Sequence, residues 1–320
     1  MKSRTTLFAM LAMSGMAASH AQSSVTLYGT ADVGIGRIKS GAPGGNDASG
    51  RTQMLASSAL NNTSSYIGVR GVEDLGGGNK AGFSFEANLD LDDGSSVGAG
   101  AGFWGRGARM WLEGGWGTLQ LGRTLNTSFW GLASWELTGA AVYSVAGATY
   151  GWVGNGPRSS SLFAYKTPDL HGFSGELGYI FAGDNVIAGA TRSKWDMHVK
   201  YANGPAAIAL SANWVQNAKT SYALGGRYNV GNVILAASLQ DAAKEQARRR
   251  GATLGAKYTA GLASITLDVA HDFKNEWGAR KYTNLLLEGK YALSKRTFIY
   301  TVVQRMDGLN NYGAGVRHNF

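Results

Sequence analysis

The chain has 320 residues, no cysteine, 44% hydrophobic residues and a mean hydropathy of −0.14. This hydropathy is too low for a bundle of membrane-spanning helices, and the absence of cysteine excludes a fold stabilised by disulfide bonds. The formal net charge of +9 is compatible with anionic solutes, lipopolysaccharide or nucleic acid, and it does not choose among them. No Pro-rich, Ser-rich or highly charged linker divides the chain, so one main domain is expected.

The amino terminus has the pattern of an export signal. Lys2 and Arg4 precede an uncharged run over residues 5–18, and Ser19 and Ala21 are the small residues that a signal peptidase reads. The run is shorter than the ~20 residues that a membrane-spanning helix needs. We therefore expect cleavage after Ala21, with residues 1–21 as signal peptide and residues 22–320 as a single barrel domain.

Period-two alternation predicts the first strands. In residues 23–36, Leu27 and Val33 share one parity, whereas Tyr28 and Asp32 share the other. The same alternation recurs in residues 65–73 and 83–91, which the glycine-rich segment 74–80 joins as a hairpin. Two further strands are predicted at residues 103–113 and 117–123.

Residues 124–157 interrupt this rhythm. This segment carries Glu136 as its single charged residue and is rich in glycine and aromatic residues. A loop of this length in a compact domain is usually functional or disordered, and disordered segments are poor in aromatics. We expect it to fold into the lumen of a barrel.

Alternation resumes after the loop and continues to the carboxyl terminus. The last strand places Tyr312, Val316 and Phe320 on one face, and Arg317 and Asn319 on the other. An apolar face toward lipid and a polar face toward water is the pattern of a transmembrane β-strand. These later strands are predicted at residues 158–166, 173–182, 193–202, 205–215, 220–228, 233–240, 251–259, 263–273, 280–291, 296–306 and 310–320.

Together the predicted strands number about sixteen. The fold class is therefore all-β: a transmembrane antiparallel β-barrel of about 16 strands, whose first and last strands pair and whose long third loop folds inward. Very short junctions such as residues 203–204 alternate with longer polar segments at residues 39–64 and 241–250. This difference predicts one rim of short turns and another of long loops.

Several ordered motifs resemble the general-diffusion porins of beta-proteobacteria. They are SVTLYG at 24–29, GVRGVEDLGGG at 68–78, GTLQLGR at 117–123, YALSKRT at 291–297 and GVRHNF at 315–320. The resemblance implies a homotrimer in the bacterial outer membrane, in which each barrel has a third loop that narrows the pore. It also implies that the barrel assembly machinery reads the terminal Phe320.

The resemblance also implies a constriction in which basic strand residues face the inner loop. Arg70 stands where the family has a basic strand residue, and Arg123 matches the Gly-Arg step at the loop entrance. Arg109 stands at an inward position that is more often aromatic or polar, and Tyr66 replaces an arginine of many relatives. Leu162 and Ala164 also depart from the usual polar character.

These residues give the site that we expect. Arg70, Arg109 and Arg123 form the basic wall of the constriction. Because a charged wall raises the local concentration of counterions, we expect a weak preference for anions. Inward-facing acids, among them Glu86 and Glu113, act against it. The other expected pore-lining or inner-loop residues are Tyr66, Trp111, Glu136 and Tyr143.

Other classes of function fit less well. His271 and Asp272 are adjacent on a strand and point to opposite faces, so they do not form a hydrolase dyad. The segment at residues 74–80 lacks the Gly-Lys-Ser/Thr ending of a phosphate-binding loop. The arginines at 248–250 lack the interleaved aromatics of a nucleic-acid site, and a contact with lipopolysaccharide or a solvated surface fits them better. No motif indicates a cofactor or a metal, and a purely structural or adhesive barrel leaves the inner loop unexplained.

One alternative stays open from the sequence. The loop aromatics, together with the lumen-facing Trp111 and Tyr66, are compatible with a stacking track in a channel selective for sugars or aromatic acids. The competing interpretation is that they pack the loop onto the wall or lie in an interfacial girdle. Small hydrophilic solutes and ions are the expected cargo, and the lipid bilayer and lipopolysaccharide are the expected surroundings. The loop residues in question are Trp130, Trp135, Tyr143, Tyr150 and Trp152.

Overall fold

The computed structural model describes residues 24–39, 49–96, 102–154, 156–184, 186–187 and 190–320. The expected signal peptide at residues 1–21 lies outside the described residues. Two short helices, α1 (Thr127–Ala133) and α2 (Val145–Ala148), and a 3-10 turn (Ala182–Asp184) accompany the strands. Among the described residues, no helix has the length and apolar character needed to cross a membrane. The strands are β1 (Ser24–Lys39), β2 (Ser49–Ala56), β3 (Tyr66–Gly76), β4 (Asn79–Asn88), β5 (Gly107–Gly114), β6 (Gly117–Leu125), β7 (Arg158–Lys166), β8 (Phe173–Ile180), β9 (Val186–Ile187), β10 (Ala190–Thr191), β11 (Lys194–Asn203), β12 (Ala206–Val215), β13 (Ser221–Val230), β14 (Val233–Lys244), β15 (Ala247–Ala260), β16 (Ala263–Asn275), β17 (Thr283–Ala292), β18 (Thr297–Met306) and β19 (Leu309–Asn319).

The sheet closes on itself through its first and last strands. β1 pairs antiparallel with β19 from Thr30 opposite Asn319 to Arg37 opposite Tyr312. The backbone N–H groups of Gly29 and Phe320 each donate to the other residue's carbonyl oxygen at 3.1 Å. β8 pairs with β11, and β9 and β10 form a small separate hairpin between them. The predicted sixteen-stranded antiparallel barrel is confirmed, and closure leaves no unpaired sheet edge among the described strands of the barrel.

One strand position of the barrel is filled by two segments. The first half of β1 pairs with β3 and the second half pairs with β2. The prediction that residues 39–64 form a polar loop was therefore wrong, because β2 lies within them. The chain between β2 and β3 folds inward, where Asn61 Nδ2 donates to Asp32 Oδ1 at 3.0 Å and Thr63 N donates to Asp32 Oδ2 at 2.9 Å. These hydrogen bonds join residues 29 and 31 positions apart, so alternation within a single strand cannot predict the inward-folded segment.

The predicted long loop at residues 241–250 was also wrong. β14 continues to Lys244 and β15 begins at Ala247, so a two-residue turn joins them. Polar side chains extend these strands because they are paired across the sheet. Asp241 lies opposite Arg250 and accepts hydrogen bonds from it at 2.7 and 3.1 Å. The rim that was predicted to carry long loops therefore has a two-residue turn at this position.

The two faces of the strands have opposite character. On β12, Ile208 and Leu210 are about half exposed on the outer face, whereas Ala209 and Ser211 are buried on the inner face. This is the alternation expected of a wall between lipid and lumen. Exposed aromatic side chains near the rim of short turns form part of an aromatic belt: Trp116, Tyr165, Phe173, Tyr228, Tyr258, Tyr291 and Phe320.

Candidate pore constriction

The third loop, residues 126–157, crosses the lumen and begins with α1. The carboxylate of Asp196 on β11 accepts hydrogen bonds from the Thr127 hydroxyl at 2.8 Å and from the Ser128 backbone N–H. Ser211 Oγ on β12 donates to the Ser128 carbonyl at 3.0 Å. His198 Nδ1 lies 2.7 Å from the Thr127 carbonyl oxygen, which only accepts, so Nδ1 carries the proton of this contact. These bonds hold the helix against the inner wall.

The position of α1 explains two of the apolar inward residues noted in the sequence. Leu162 and Ala164 are buried on β7 and pack with Ile180 of β8. A Cβ atom added to Gly178 of β8 would lie 2.8 Å from Leu162 and 3.0 Å from Thr127, so α1 and β7 meet over this glycine. The apolar patch is therefore covered by the helix and does not face the water-filled passage.

Glu136 organises the turn that follows α1. Its carboxylate accepts hydrogen bonds from the Thr138 and Ala140 backbone N–H groups at 3.0 and 2.7 Å, and from the Ser144 hydroxyl at 2.7 Å. Lys290 Nζ of β17 donates to the Thr138 carbonyl at 2.8 Å. Glu136 is 3% exposed, so its carboxylate stabilises the conformation of the loop and is not available to solutes.

The second half of the loop is bound to the opposite wall. Tyr143 Oη donates to Glu288 Oε2 at 2.7 Å, and Asn62 Nδ2 donates to Tyr143 Oη at 2.9 Å. Gln240 Nε2 donates to the Ala146 carbonyl at 2.9 Å, and Tyr150 Oη donates to the His271 carbonyl at 3.1 Å. Burial, followed by the charge of Glu288, raises the pKa of the Tyr143 hydroxyl well above its ordinary value. The loop therefore fills the lumen on the side of β13–β19.

The placement of Glu136 and Tyr143 corrects the expected pore lining. Both lie in the inner loop, yet they are buried between the loop and the wall and do not face the passage. Burial also removes three loop residues from the stacking track that the sequence left open, since Trp135, Tyr143 and Tyr150 are at most 1% exposed. Trp130 is 42% exposed, and Trp152 is half-buried against the cluster that contains Leu132 and Trp135. The packing interpretation holds for the buried three.

The open side of the lumen is walled by β3–β8. Ser84 of β4 lies opposite Arg70 of β3 on one side and opposite Arg109 of β5 on the other. Arg109 Nε donates to Ser84 Oγ at 3.2 Å, and its Nη1 donates to Gln120 Oε1 at 2.8 Å. The exposed Arg70 guanidinium lies 5.0 Å from the centre of the Tyr28 ring. Arg70 and Arg109 thus occupy one row of the inner wall.

Arg106, which sequence reasoning did not single out, lies beside this row. It directly precedes β5, and its Nε lies 3.2 Å from Glu86 Oε2. Its guanidinium stands 4.0 Å from the centre of the Tyr66 ring, a cation–π contact that fixes Tyr66 to the wall. Burial lowers the pKa of Arg106, and the Glu86 carboxylate opposes this effect. An arginine keeps its charge at neutral pH in spite of such a shift.

Arg123 and Arg158 stand where the loop leaves and rejoins the barrel. Arg123 Nη1 donates to Ser160 Oγ at 2.9 Å, and its Nε donates to the Gly105 carbonyl. Arg158 lies opposite Leu125 at the start of β7 and forms no hydrogen bond or ion pair with the residues that the structure describes. The sequence signal for Arg158 was its position as the first charged residue after the loop.

These side chains surround a cavity of about 240 Å³, which we call the arginine cavity. It is lined by four arginines, Trp130 and Tyr66, with Glu86 as the carboxylate among its described lining residues. The four arginines are Arg106, Arg109, Arg123 and Arg158.

A second cavity of about 520 Å³, the tryptophan cavity, shares Arg109 and Trp130 with the first and adds Trp111. A third, of about 510 Å³, shares Lys166 and Lys200 with the second and reaches the short turns. The three cavities therefore lie next to one another along the inner wall, and we call this row the passage. Within the described ranges, no group of His, Cys, Asp and Glu side chains is arranged to hold a metal ion.

A closed barrel with an apolar outer belt and a charged inner passage defines a transmembrane channel. A sequence profile described as Gram-negative porin matches residues 6–311. The chain therefore belongs to the Gram-negative porin family; it is an outer-membrane channel and not an enzyme.

Individual relatives agree with this assignment. Outer membrane porin protein 32 of Delftia acidovorans is 32% identical over 255 residues, covering 75% of this chain and 69% of the relative. An outer membrane porin protein of Bordetella pertussis is 30% identical over 264 residues, covering 73% of this chain and 68% of the relative. The structure of an anion-selective porin from Comamonas acidovorans superposes with a TM-score of 0.73 at 26% identity, covering 93% of this chain and all of that one. OmpT of Vibrio cholerae, in a trimer form, shares the fold with a TM-score of 0.70 at 14% identity, covering 93% of this chain and 99% of that one.

Proposed function

We propose that this porin forms a water-filled channel for the passive diffusion of small hydrophilic solutes and ions, with a preference for anions. The observation that carries the proposal is the arginine cavity, where four guanidinium groups face one described carboxylate, that of Glu86. Low-dielectric protein walls focus the field of these charges, which raises the local concentration of anions and repels cations. The preference stays weak because Glu113 and Glu176 line the adjoining tryptophan cavity.

One solved structure supports the same direction. The structure from Comamonas acidovorans is described as an anion-selective porin, and it is 26% identical to this chain. Arg158 adds an argument from this chain alone. Its guanidinium lines the passage without a bonded protein carboxylate among the described residues, so its charge is available to solutes.

The assembly that we propose is a homotrimer in contact with lipid and lipopolysaccharide. The family resemblance and the trimer form of the Vibrio cholerae porin support three barrels per assembly. The terminal Phe320 lies in the aromatic belt and ends the closing strand, a position that is compatible with a signal for the barrel assembly machinery.

The test is the reversal potential of single channels in a planar bilayer under a potassium chloride gradient. The expected potential has the sign of anion preference, and channels are expected to open in groups of three. Replacing Arg106 and Arg158 by glutamine should move the potential toward cation preference. Arg250→Gln is the matched control, because Arg250 is exposed on β15 and does not line the cavities described here. A potential of cation sign in the unmodified protein would overturn the proposal.

A further inference from the structure

The tryptophan cavity contains features that a general anion pore does not need. Two indole rings, Trp111 from the wall and Trp130 from α1, line it together with Arg109, Lys166 and Lys200. Its volume of about 520 Å³ is within the usual range for small-molecule sites. Resting on the proposed function, we propose that this cavity is a subsite for aromatic carboxylates, in which an indole stacks on the ring and an ammonium group binds the carboxylate.

Trp111 is held flat against the wall. A Cβ atom at Gly82 of β4 would lie 2.3 Å from the indole of Trp111, so a glycine is required beneath the ring. The Arg109 guanidinium lies 5.1 Å from the centre of the same ring. Trp111 is only partly buried and lines the cavity. A rigid, partly open indole beside a guanidinium is an amphipathic surface on which a planar anion can stack.

Trp130 enters the lining of the cavity from the inner loop. Its neighbours Phe129 and Leu132 are buried, so α1 turns Trp130 toward the lumen at 42% exposure. The indole N–H of Trp130 forms no hydrogen bond with the part of the chain that the structure describes. Trp130 therefore offers both a ring face and a free donor.

The charges in the cavity favour a carboxylate over a neutral or cationic ring. Glu176 accepts a hydrogen bond from Gln120 Nε2, and Glu113 lies 3.6 Å from Lys80. Lys166 is the cross-strand neighbour of Glu176, yet neither Lys166 nor Lys200 forms a hydrogen bond or ion pair within the described ranges. The lining holds three cationic side chains, those of Arg109, Lys166 and Lys200, against these two carboxylates, so a carboxylate is favoured over an aromatic ammonium compound.

The experiment compares three probes on the folded protein in planar bilayers. Benzoate carries a ring and a negative charge, cyclohexanecarboxylate has the same charge without a π-face, and benzylamine has the ring with a positive charge. We expect benzoate to reduce the chloride current in a saturable manner, with a half-blocking concentration about fivefold lower than that of cyclohexanecarboxylate, because aromatic pairing adds to area burial. Benzylamine should not block.

Trp130→Leu should raise the half-blocking concentration of benzoate about fivefold and leave that of cyclohexanecarboxylate nearly unchanged. Trp195→Leu is the matched control, because Trp195 has the same 42% exposure but lies on the outer face of β11 and should not affect block. Lys166→Gln should weaken block by both carboxylates.

The outcomes separate this inference from the proposed function. Equal block by benzoate and cyclohexanecarboxylate, together with an anion-selective reversal potential, would overturn the subsite and leave the anion pore intact. A cation-selective potential in potassium chloride would overturn the proposed function itself. The comparison of probes on the unmodified protein needs no variant, so a Trp130→Leu protein that does not fold still leaves the inference testable.

Discussion

Tyr143 and Glu288, separated by 145 positions in the chain, meet inside the barrel through a hydrogen bond of 2.7 Å. Glu288 is fully buried and is also bound by Lys290 at 2.8 Å and by the Thr266 hydroxyl at 3.0 Å. Asn62, from the interruption between β2 and β3, donates to the same Tyr143 hydroxyl. One phenol therefore joins the inner loop, β17 and the inward-folded segment 57–65.

Tyr143→Phe should lower the free energy of unfolding by about 1–3 kcal/mol, because it leaves buried polar partners without their hydrogen bond. The measurement is the midpoint of thermal unfolding in detergent, recorded by circular dichroism. Tyr222→Phe is the control, since Tyr222 is 48% exposed on the outer face and its hydroxyl forms no hydrogen bond with the described residues. Equal midpoints for the two variants would show that the phenol does not anchor the loop.

Gly225 of β13 permits a close approach of the inner loop to the wall. A Cβ atom there would lie 2.2 Å from Cε2 of Trp135, whose side chain is 1% exposed. Gly225→Ala should therefore displace the indole and destabilise the folded barrel by about 1–3 kcal/mol. Gly289→Ala is the matched control, because a Cβ atom there meets only the Thr301 hydroxyl, at 3.1 Å, among the described atoms. The check is the fluorescence emission maximum and the unfolding midpoint of each variant; similar values for both would contradict the packing argument.

Alternation predicted the orientation of strand residues because its physical cause is local. Successive side chains of a strand point to opposite faces, so the inward orientation of Arg109 and Trp111 follows from a few neighbouring residues. The loop residues did not obey such a rule. Whether Tyr143 or Trp130 faces water depends on which wall residues the loop meets, and these are distant in the sequence.

Arg106 and Arg158 were missed for different reasons. The predicted strand 103–113 gave Arg106 the parity opposite to that of Arg109 and therefore an outward face, whereas β5 begins only at Gly107, so strand alternation does not apply to Arg106. Arg158 has an inward parity in the predicted strand 158–166, but alternation does not show which distant residues it meets. The inward segment at residues 57–65 was missed because the residues that stabilise it, Asp32 and Tyr300, lie on other strands. The strand count was nevertheless right, since β2 and β3 together occupy one position of the barrel.

The acidic segment after β4 should make ion selectivity depend on pH. Burial raises the pKa of Asp90 to about 6, and Asp92 and Asp93 add to this effect. Asp90 has the parity of Glu86 and Asn88, and Asn88 accepts a hydrogen bond from Arg106 at 3.4 Å. Because Asp90 loses its negative charge as the pH falls through about 6, anion preference should increase between pH 7 and pH 5.

Asp90→Asn tests whether this carboxyl group carries the pH dependence. In this variant the charge at position 90 is absent at every pH, so its anion preference at pH 7 should match that of the unmodified protein at pH 5. The measurement is the reversal potential at both values. An unchanged pH dependence in Asp90→Asn would assign the titration to another group.

Replacing residues 139–156 by a short Gly-Ser linker should raise single-channel conductance. This segment covers the inner wall of β14–β18, where Gln240, Glu288 and Gln304 bind it. Its removal should open that wall to water while α1 stays bound to Asp196, so the passage widens on one side only. Conductance in a narrow aqueous pore is limited by its constriction, and a wider passage also weakens the field of the arginine wall.

Anion preference should therefore fall as conductance rises. Removal of the exposed, uncharged residues 278–279 between β16 and β17 controls for the effect of shortening a connection at the rim. An unaltered conductance in a correctly folded barrel would show that the second half of the loop does not restrict flow. The narrow zone would then lie at Trp130 and the arginine cavity alone.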